Sequence, residues 1–109
     1  MLIEFNIENF KSFKNKVTFS MVADSIKEHL VDNTFSFKDK FRLLKSAIVY
    51  GANASGKTNL TKAMWFMQNF IFNSTKDIQV TAENRADNFR LDINADKKPS
   101  VFEIIFIYD

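Results

Sequence analysis

Cysteine is absent from this sequence of 109 residues, which excludes disulfides and thiolate metal sites and fits a reducing cytoplasm. The single histidine, His29, stands near Asp24 and Glu28 but has no second imidazole with which to share an ion, so an exposed side chain is expected there. No apolar run approaches the roughly 20 residues that a membrane helix needs. The opening Met1-Leu2-Ile3-Glu4-Phe5-Asn6 also lacks the basic-then-apolar order of a signal peptide. A soluble, cytoplasmic product with no membrane partner is therefore expected. An excess of one charge is missing too: 15 basic residues against 13 acidic ones leave +2, too little to argue for nucleic acid or a lipid surface. Lys97 and Lys98, beside the only proline, Pro99, are simply a solvated turn. What is plentiful is hydrocarbon: 46% hydrophobic residues, with 13 phenylalanines, can build the core of one domain.

Glycine occurs only twice, and both copies fall in one stretch of eight residues, Gly51-Ala52-Asn53-Ala54-Ser55-Gly56-Lys57-Thr58. The stretch fits the phosphate-loop pattern GxxxxGK(S/T) at every fixed position. At average residue frequencies such a match arises by chance in a chain of this length roughly a few times in a thousand. A nucleoside triphosphate needs closely spaced backbone N–H donors, a lysine on the β/γ oxygens and a hydroxyl on Mg²⁺. Its context is the one the motif requires. Residues 46–50, Ser-Ala-Ile-Val-Tyr, form a continuous apolar run expected of a buried parallel strand. From Lys57 onward, Leu60, Ala63, Met64, Met67, Phe70 and Ile71 recur at helical spacing. The loop thus sits between a strand end and a helix start, where unpaired N–H groups and the helix dipole favour an anion.

Elsewhere, Ile3, Phe5 and Ile7 alternate with Glu4, Asn6 and Glu8, and Val17, Phe19 and Met21 with Thr18, Ser20 and Val22. Both patterns predict strands with one buried face, paired across a polar turn that carries Phe10 and Phe13. Residues 23–45 are ambiguous, with a short helix expected around 25–30 and an extended piece around 34–37. Residues 73–88 are polar and unperiodic and predict a loop. Residues 88–92 and 100–108 predict strands joined by a turn at 94–99. One parallel strand is fewer than a phosphate-loop domain needs, so the chain is expected to be the first part of a larger domain.

Two finer features carry a family resemblance: the loop written as GxNxSGKTN, with Asn53 and Asn59 flanking the grip, and the opening Ile7-Glu8-Asn9-Phe10-Lys11-Ser12-Phe13. Together they resemble the amino-terminal lobe of the ATP-binding head of the SMC, RecF and RecN group of ABC-type ATPases. The chain is most similar to the bacterial AAA family ATPases of anti-phage defence systems of the Septu and abortive-infection kinds. The resemblance implies an α/β fold of ABC/SMC-head type, in which antiparallel strands lie beside a parallel core strand and the phosphate-loop helix. It implies ATP and Mg²⁺ as ligands. Backbone amides of Asn53, Ala54, Ser55, Gly56, Lys57 and Thr58 would hold the α and β phosphates, Lys57 would neutralise β/γ charge, and Thr58 would ligate the metal. Lys11, Ser12 and Phe13 match a turn that lies near the nucleotide in such heads. Many loops of that group carry glycine where this chain has Ala54. A head-to-head homodimer, and an effector protein or nucleic acid, would be the partners of the complete protein.

The remaining machinery of such heads is missing. A signature motif needs consecutive glycines, and both are already used; no acidic pair supplies a Walker B aspartate with its catalytic glutamate. Asp109 after Ile104-Ile105-Phe106-Ile107-Tyr108 mimics an apolar strand ending in a Mg²⁺-positioning acid, which leaves open a small self-contained NTPase or kinase. GTPase chemistry is disfavoured because no glycine follows the loop for a DxxG switch, and Asn15-Lys16-Val17-Thr18 lacks the aspartate of NKxD. A non-enzymatic interaction or DNA-contacting module is the third class. Trp65, Phe66, Phe70 and Phe72 lie well past the phosphate grip, so packing or an interface is expected of them rather than base stacking.

Overall fold

The computed structural model describes residues 1–25, 27–52, 55–74 and 86–108. Alternation at the amino terminus yields strand β1, Leu2–Glu8. The second alternating run yields β2, Val17–Ser20, antiparallel to β1 with Phe5 opposite Phe19 and Ile7 opposite Val17. Two strands near the carboxyl end were expected. The later one forms β5, Val101–Phe106, which lies antiparallel on the other edge of β1 with Phe5 opposite Ile104. The order β2-β1-β5 puts β1 in the middle, and this is why Phe5 and Ile7 are only 1% exposed.

Asn6 was expected to face solvent, yet it is buried. Polar side chains from both neighbouring strands cover it: the Thr18 hydroxyl donates to its Oδ1, and its Nδ2 donates to Glu103 Oε2 at 2.6 Å. Each amide group therefore has a protein partner, which is the condition for burying it at little cost.

The helix after the loop, α2, Lys57–Ser74, crosses the apolar face of this sheet. Ala63 is fully buried against Phe5, Ile7 and Phe10, and the small side chain lets the helix approach closely; Leu60, Met64, Phe66 and Met67 close the core around it. Three rings form a triangle between sheet and helix, with centroids 5.6 Å apart for Phe10–Phe66, 5.1 Å for Phe10–Phe102 and 5.3 Å for Phe66–Phe102. The edge-on Phe10–Phe102 contact, at 71°, suits the ring quadrupoles.

In the ambiguous region the short helix lies later than expected. It is α1, Leu30–Asn33, preceded by His29 at φ 52°. The extended piece is β3, Thr34–Phe37, and its antiparallel partner β4, Phe41–Leu44, was not anticipated. The connecting turn places Lys38 and Asp39 at positive φ. Arg42 ties helix to hairpin by donating to Thr34 Oγ1 at 2.7 Å and to the Leu30 carbonyl at 3.1 Å. The hairpin joins the rest through main-chain bonds from Leu44 N to Met21 O and from Ala23 N to Arg42 O, both 2.8 Å.

Two expected strands do not form. Residues 46–50 lie in no strand, and Ile48 and Tyr50 are 87% and 89% exposed. A parallel strand exists only by bonding to neighbours, and every named strand pair among the described residues is antiparallel and excludes this run. Residues 88–92 are irregular, and a tertiary bond takes one main-chain donor that a ladder would use. Phe89 N donates to Asn9 Oδ1 at 3.2 Å, and Ser100 Oγ stands 2.8 Å from Asn88 Oδ1. The turn expected at 94–99 includes a 3-10 turn, Ala95–Lys97. Among the described residues no helix is long and apolar enough to cross a membrane, and no group of acidic or histidine side chains could hold a metal ion.

Candidate functional site

The phosphate-loop pattern closes onto the first turn of α2. Gly56 adopts φ +93°, a region that side chains rarely enter, and a Cβ built there would meet Ser12 Oγ at 3.1 Å and the Phe13 ring at 3.5 Å. The second glycine is therefore required twice, by its backbone and by its neighbours. From Gly56 the chain enters the helix directly, and the intrahelical ladder begins with Leu60 N to Gly56 O at 3.0 Å. The N–H groups before that point are those a helix start leaves for other acceptors. No acidic residue lies in the first turn of α2 to compete for them.

Lys57 bends back over the loop. Its ammonium donates to the carbonyls of Gly51 at 2.5 Å and Ala52 at 2.7 Å, and to Ser55 Oγ at 3.3 Å. A further main-chain bond, Ser55 N to Ala52 O at 3.2 Å, tightens the turn. All three ammonium donors are thus directed at the loop, so positive charge is concentrated where the helix dipole is also positive. Thr58 is exposed. Asn53 and Ala54, expected among the phosphate-holding amides, lie outside the described residues, as does Asp109.

The turn at residues 11–13 lies against the start of α2. Asn59, in the first turn of α2, donates from Nδ2 to Ser12 Oγ at 2.9 Å, and Phe13 lies beside Gly56. Lys11 points elsewhere. Its Nζ lies 2.5 Å from Asp87 Oδ2 and its main-chain N donates to Asp87 O at 2.6 Å. A groove of about 470 Å³ runs beside the junction, lined by Lys11, Ser12, Asn59, Asp87 and Arg90 among others. A larger groove, about 730 Å³, lies between Phe66, Phe70 and Phe102 and contains no described residue of the loop.

The Lys11 ammonium, hydrogen-bonded to Asp87, holds that carboxyl below the usual carboxylate range. A lowered folded-state pKa contributes stability that is present above the unfolded value of about 4 and is lost as pH falls through the folded value. Since the Asp87 side chain is half exposed, solvent screening limits the pair to about 1 kcal/mol or less. Asp87→Asn should therefore lower stability by no more than about 1 kcal/mol at neutral pH. The gap from the parent should narrow as Asp87 protonates, which urea unfolding at pH 7 and at about pH 3 will check.

Sequence reasoning missed two residues of this junction. Asp87 left no signal, because its pairing with Lys11 depends on a long-range contact. Asn9 left one: it adopts φ 51°, and asparagine is among the few residues that tolerate that region.

A glycine loop at a helix start, spanned by its own lysine, is the arrangement of the phosphate-loop nucleotide-binding proteins. Residues 46–109 match the family described as "AAA domain, putative AbiEii toxin, Type IV TA system", and the chain belongs to that family. Membership makes it a protein of the P-loop ATPase type, with a nucleotide-binding function and the α/β P-loop fold, in a family that generally uses ATP and Mg²⁺. No curated protein and no solved structure matches the chain. The matched range takes in the loop, α2 and β5, and leaves out β1, β2 and the turn at 11–13.

Proposed function

We propose that the chain binds Mg²⁺-ATP through residues 51–58 as the amino-terminal lobe of an ABC/SMC-like ATPase head. The observation that carries this reading is the Gly56 junction: a positive-φ glycine under Ser12 and Phe13, with the Lys57 ammonium on the loop carbonyls. In this reading the main-chain N–H groups of Asn53 to Thr58 receive the α and β phosphates. The Lys57 ammonium takes the β/γ charge, the Thr58 hydroxyl ligates Mg²⁺, and Ser12 and Asn59 border the nucleotide. Mg²⁺ supplies charge neutralisation between phosphates when bound.

Hydrolysis, in the same proposal, draws on groups outside this chain and on head-to-head association of two copies. Support comes from the sequence, which has a phosphate grip without a signature motif or a paired acidic site. Residues 46–50 are apolar on both faces and unpaired, and α2 exposes Trp65 opposite the side that Ala63 buries. A helix apolar on opposite sides is ordinarily covered on both. The AbiEii wording of the family description and the opening motif favour a role in anti-phage defence.

Isothermal titration tests the core of the proposal. The chain should bind Mg²⁺-ATP, and Lys57→Ala should weaken binding by about tenfold to a hundredfold, the worth of a charged hydrogen-bonding group. Equal heats from parent and variant would reject it.

A further inference from the structure

We propose that Asn9 is a positioning residue for the phosphate loop, acting through the turn at residues 11–13; the inference rests on the reading of that loop as the ATP site. Asn9 lies at the end of β1 and is buried, and its carboxamide is fully engaged. Nδ2 donates to the carbonyls of Ala95 at 2.8 Å and Lys98 at 2.9 Å, and Oδ1 accepts from Phe89 N at 3.2 Å. Its own carbonyl accepts from the Ser100 hydroxyl at 2.5 Å. One side chain thus clasps three points of the segment that leads into β5.

What that clasp fixes is the direction of the next residues. Asn9 and Lys11 both have positive φ, and the turn closes on itself through Phe10 N to Phe13 O at 3.0 Å and Phe13 N to Phe10 O at 2.8 Å. On one flank Lys11 is held by Asp87; on the other, Ser12 accepts from Asn59 and stands 3.1 Å from the Cβ position of Gly56. The contacts are continuous: carboxamide, turn, hydroxyl and the Asn59 amide at the start of α2. A shift of the turn passes to the first turn of α2 through the Ser12–Asn59 bond, beside the face of Gly56 that carries no Cβ. Among the described residues of the loop, none is hydrogen-bonded to Asn9. Its influence must pass through Ser12 and Phe13.

Two variants separate this role from a general contribution to folding. Asn9→Gly keeps the freedom to adopt positive φ but removes the carboxamide, and Asn9→Asp keeps the acceptor for Phe89 N but removes both donors. Each should retain the parent's far-ultraviolet dichroism and bind Mg²⁺-ATP about tenfold more weakly, the loss of roughly one well-made hydrogen bond at the site. In a Ser12→Ala background the same Asn9 substitutions should change affinity less than about twofold, since the connection is already cut. Hydrogen exchange should quicken at residues 11–13 and 55–59 and stay unchanged along β1. Undiminished affinity in both variants, a full tenfold loss that persists in the Ser12→Ala background, or unaltered exchange at 55–59 would each overturn the proposal. Failure of the parent chain to bind ATP, with Lys57→Ala indistinguishable from it, would instead remove the ATP reading. The exchange measurement still decides whether Asn9 sets the loop.

Discussion

Phe10→Ala is expected to lower the unfolding free energy by about 3–5 kcal/mol, the usual cost of emptying a buried phenylalanine site. The ring is 2% exposed and belongs to the triangle with Phe66 and Phe102, so it packs at once against the middle of α2 and the start of β5. Its neighbours cannot all close the gap, because Phe66 is carried by a helix already seated at Ala63 and Phe102 by a strand in register with β1. Domains of this size have about 5–15 kcal/mol in total. The variant should accordingly be close to unfolded in modest urea. The midpoint of urea unfolding by tryptophan fluorescence or far-ultraviolet dichroism measures it. Phe70→Ala is the matched comparison: that ring is half exposed and stacks on Phe66 at 6.2 Å, so about 1 kcal/mol is expected. Similar losses for the two would show that the triangle has no special place in the core.

Gly56→Val should remove nucleotide binding altogether while leaving most of the fold in place. A β-branched residue at φ +93° costs about 1–3 kcal/mol in backbone strain. Its Cβ would also sit 3.1 Å from Ser12 Oγ and 3.5 Å from the Phe13 ring, both of which belong to a turn held from behind by Asn9 and Asp87. The loop must therefore move, and its N–H groups lose their common focus. Titration with Mg²⁺-ATP should give no heat beyond dilution, with thermal unfolding lowered but still cooperative. Gly51→Ala offers the contrast, since the atom it crowds, Ser55 Oγ at 3.0 Å, ends a side chain that can turn away. Weakened rather than abolished binding is expected there.

The elements that were legible in the sequence are those whose pattern is self-contained. Alternation at Ile3, Phe5 and Ile7 marked β1 because one face of that strand meets α2, and helical spacing from Leu60 to Ile71 marked α2 because the same contact supplies its period. The phosphate-loop signature was legible for a different reason: its glycines answer to backbone geometry, which spacing alone reveals. Strand β4 was hidden because Phe41-Arg42-Leu43-Leu44 does not alternate; Arg42 is drawn inward by Thr34 and the Leu30 carbonyl. Residues 46–50 misled for the opposite reason. Their composition is that of a strand within a parallel sheet, and composition says nothing about whether neighbours are at hand. Of the junction around Gly56, Ser12 and Phe13 could be anticipated from the opening motif. The hold that Asn9 and Asp87 keep on them could not, since it spans 76 to 89 positions of chain.

Asn6, at the centre of the three-stranded sheet, sets the alignment of all three strands. Its amide has a distinct oxygen end and nitrogen end, and these are matched by a hydroxyl from β2 and a carboxylate from β5. Sliding either outer strand by one position would turn Thr18 or Glu103 to the opposite side of the sheet and leave a dehydrated amide with nothing to bind. Hydrocarbon contacts alone tolerate such slippage where Ile104 and Ile105 follow one another. The polar trio does not, and so the alignment that brings Phe102 to Phe10 is the one the assembling sheet can keep.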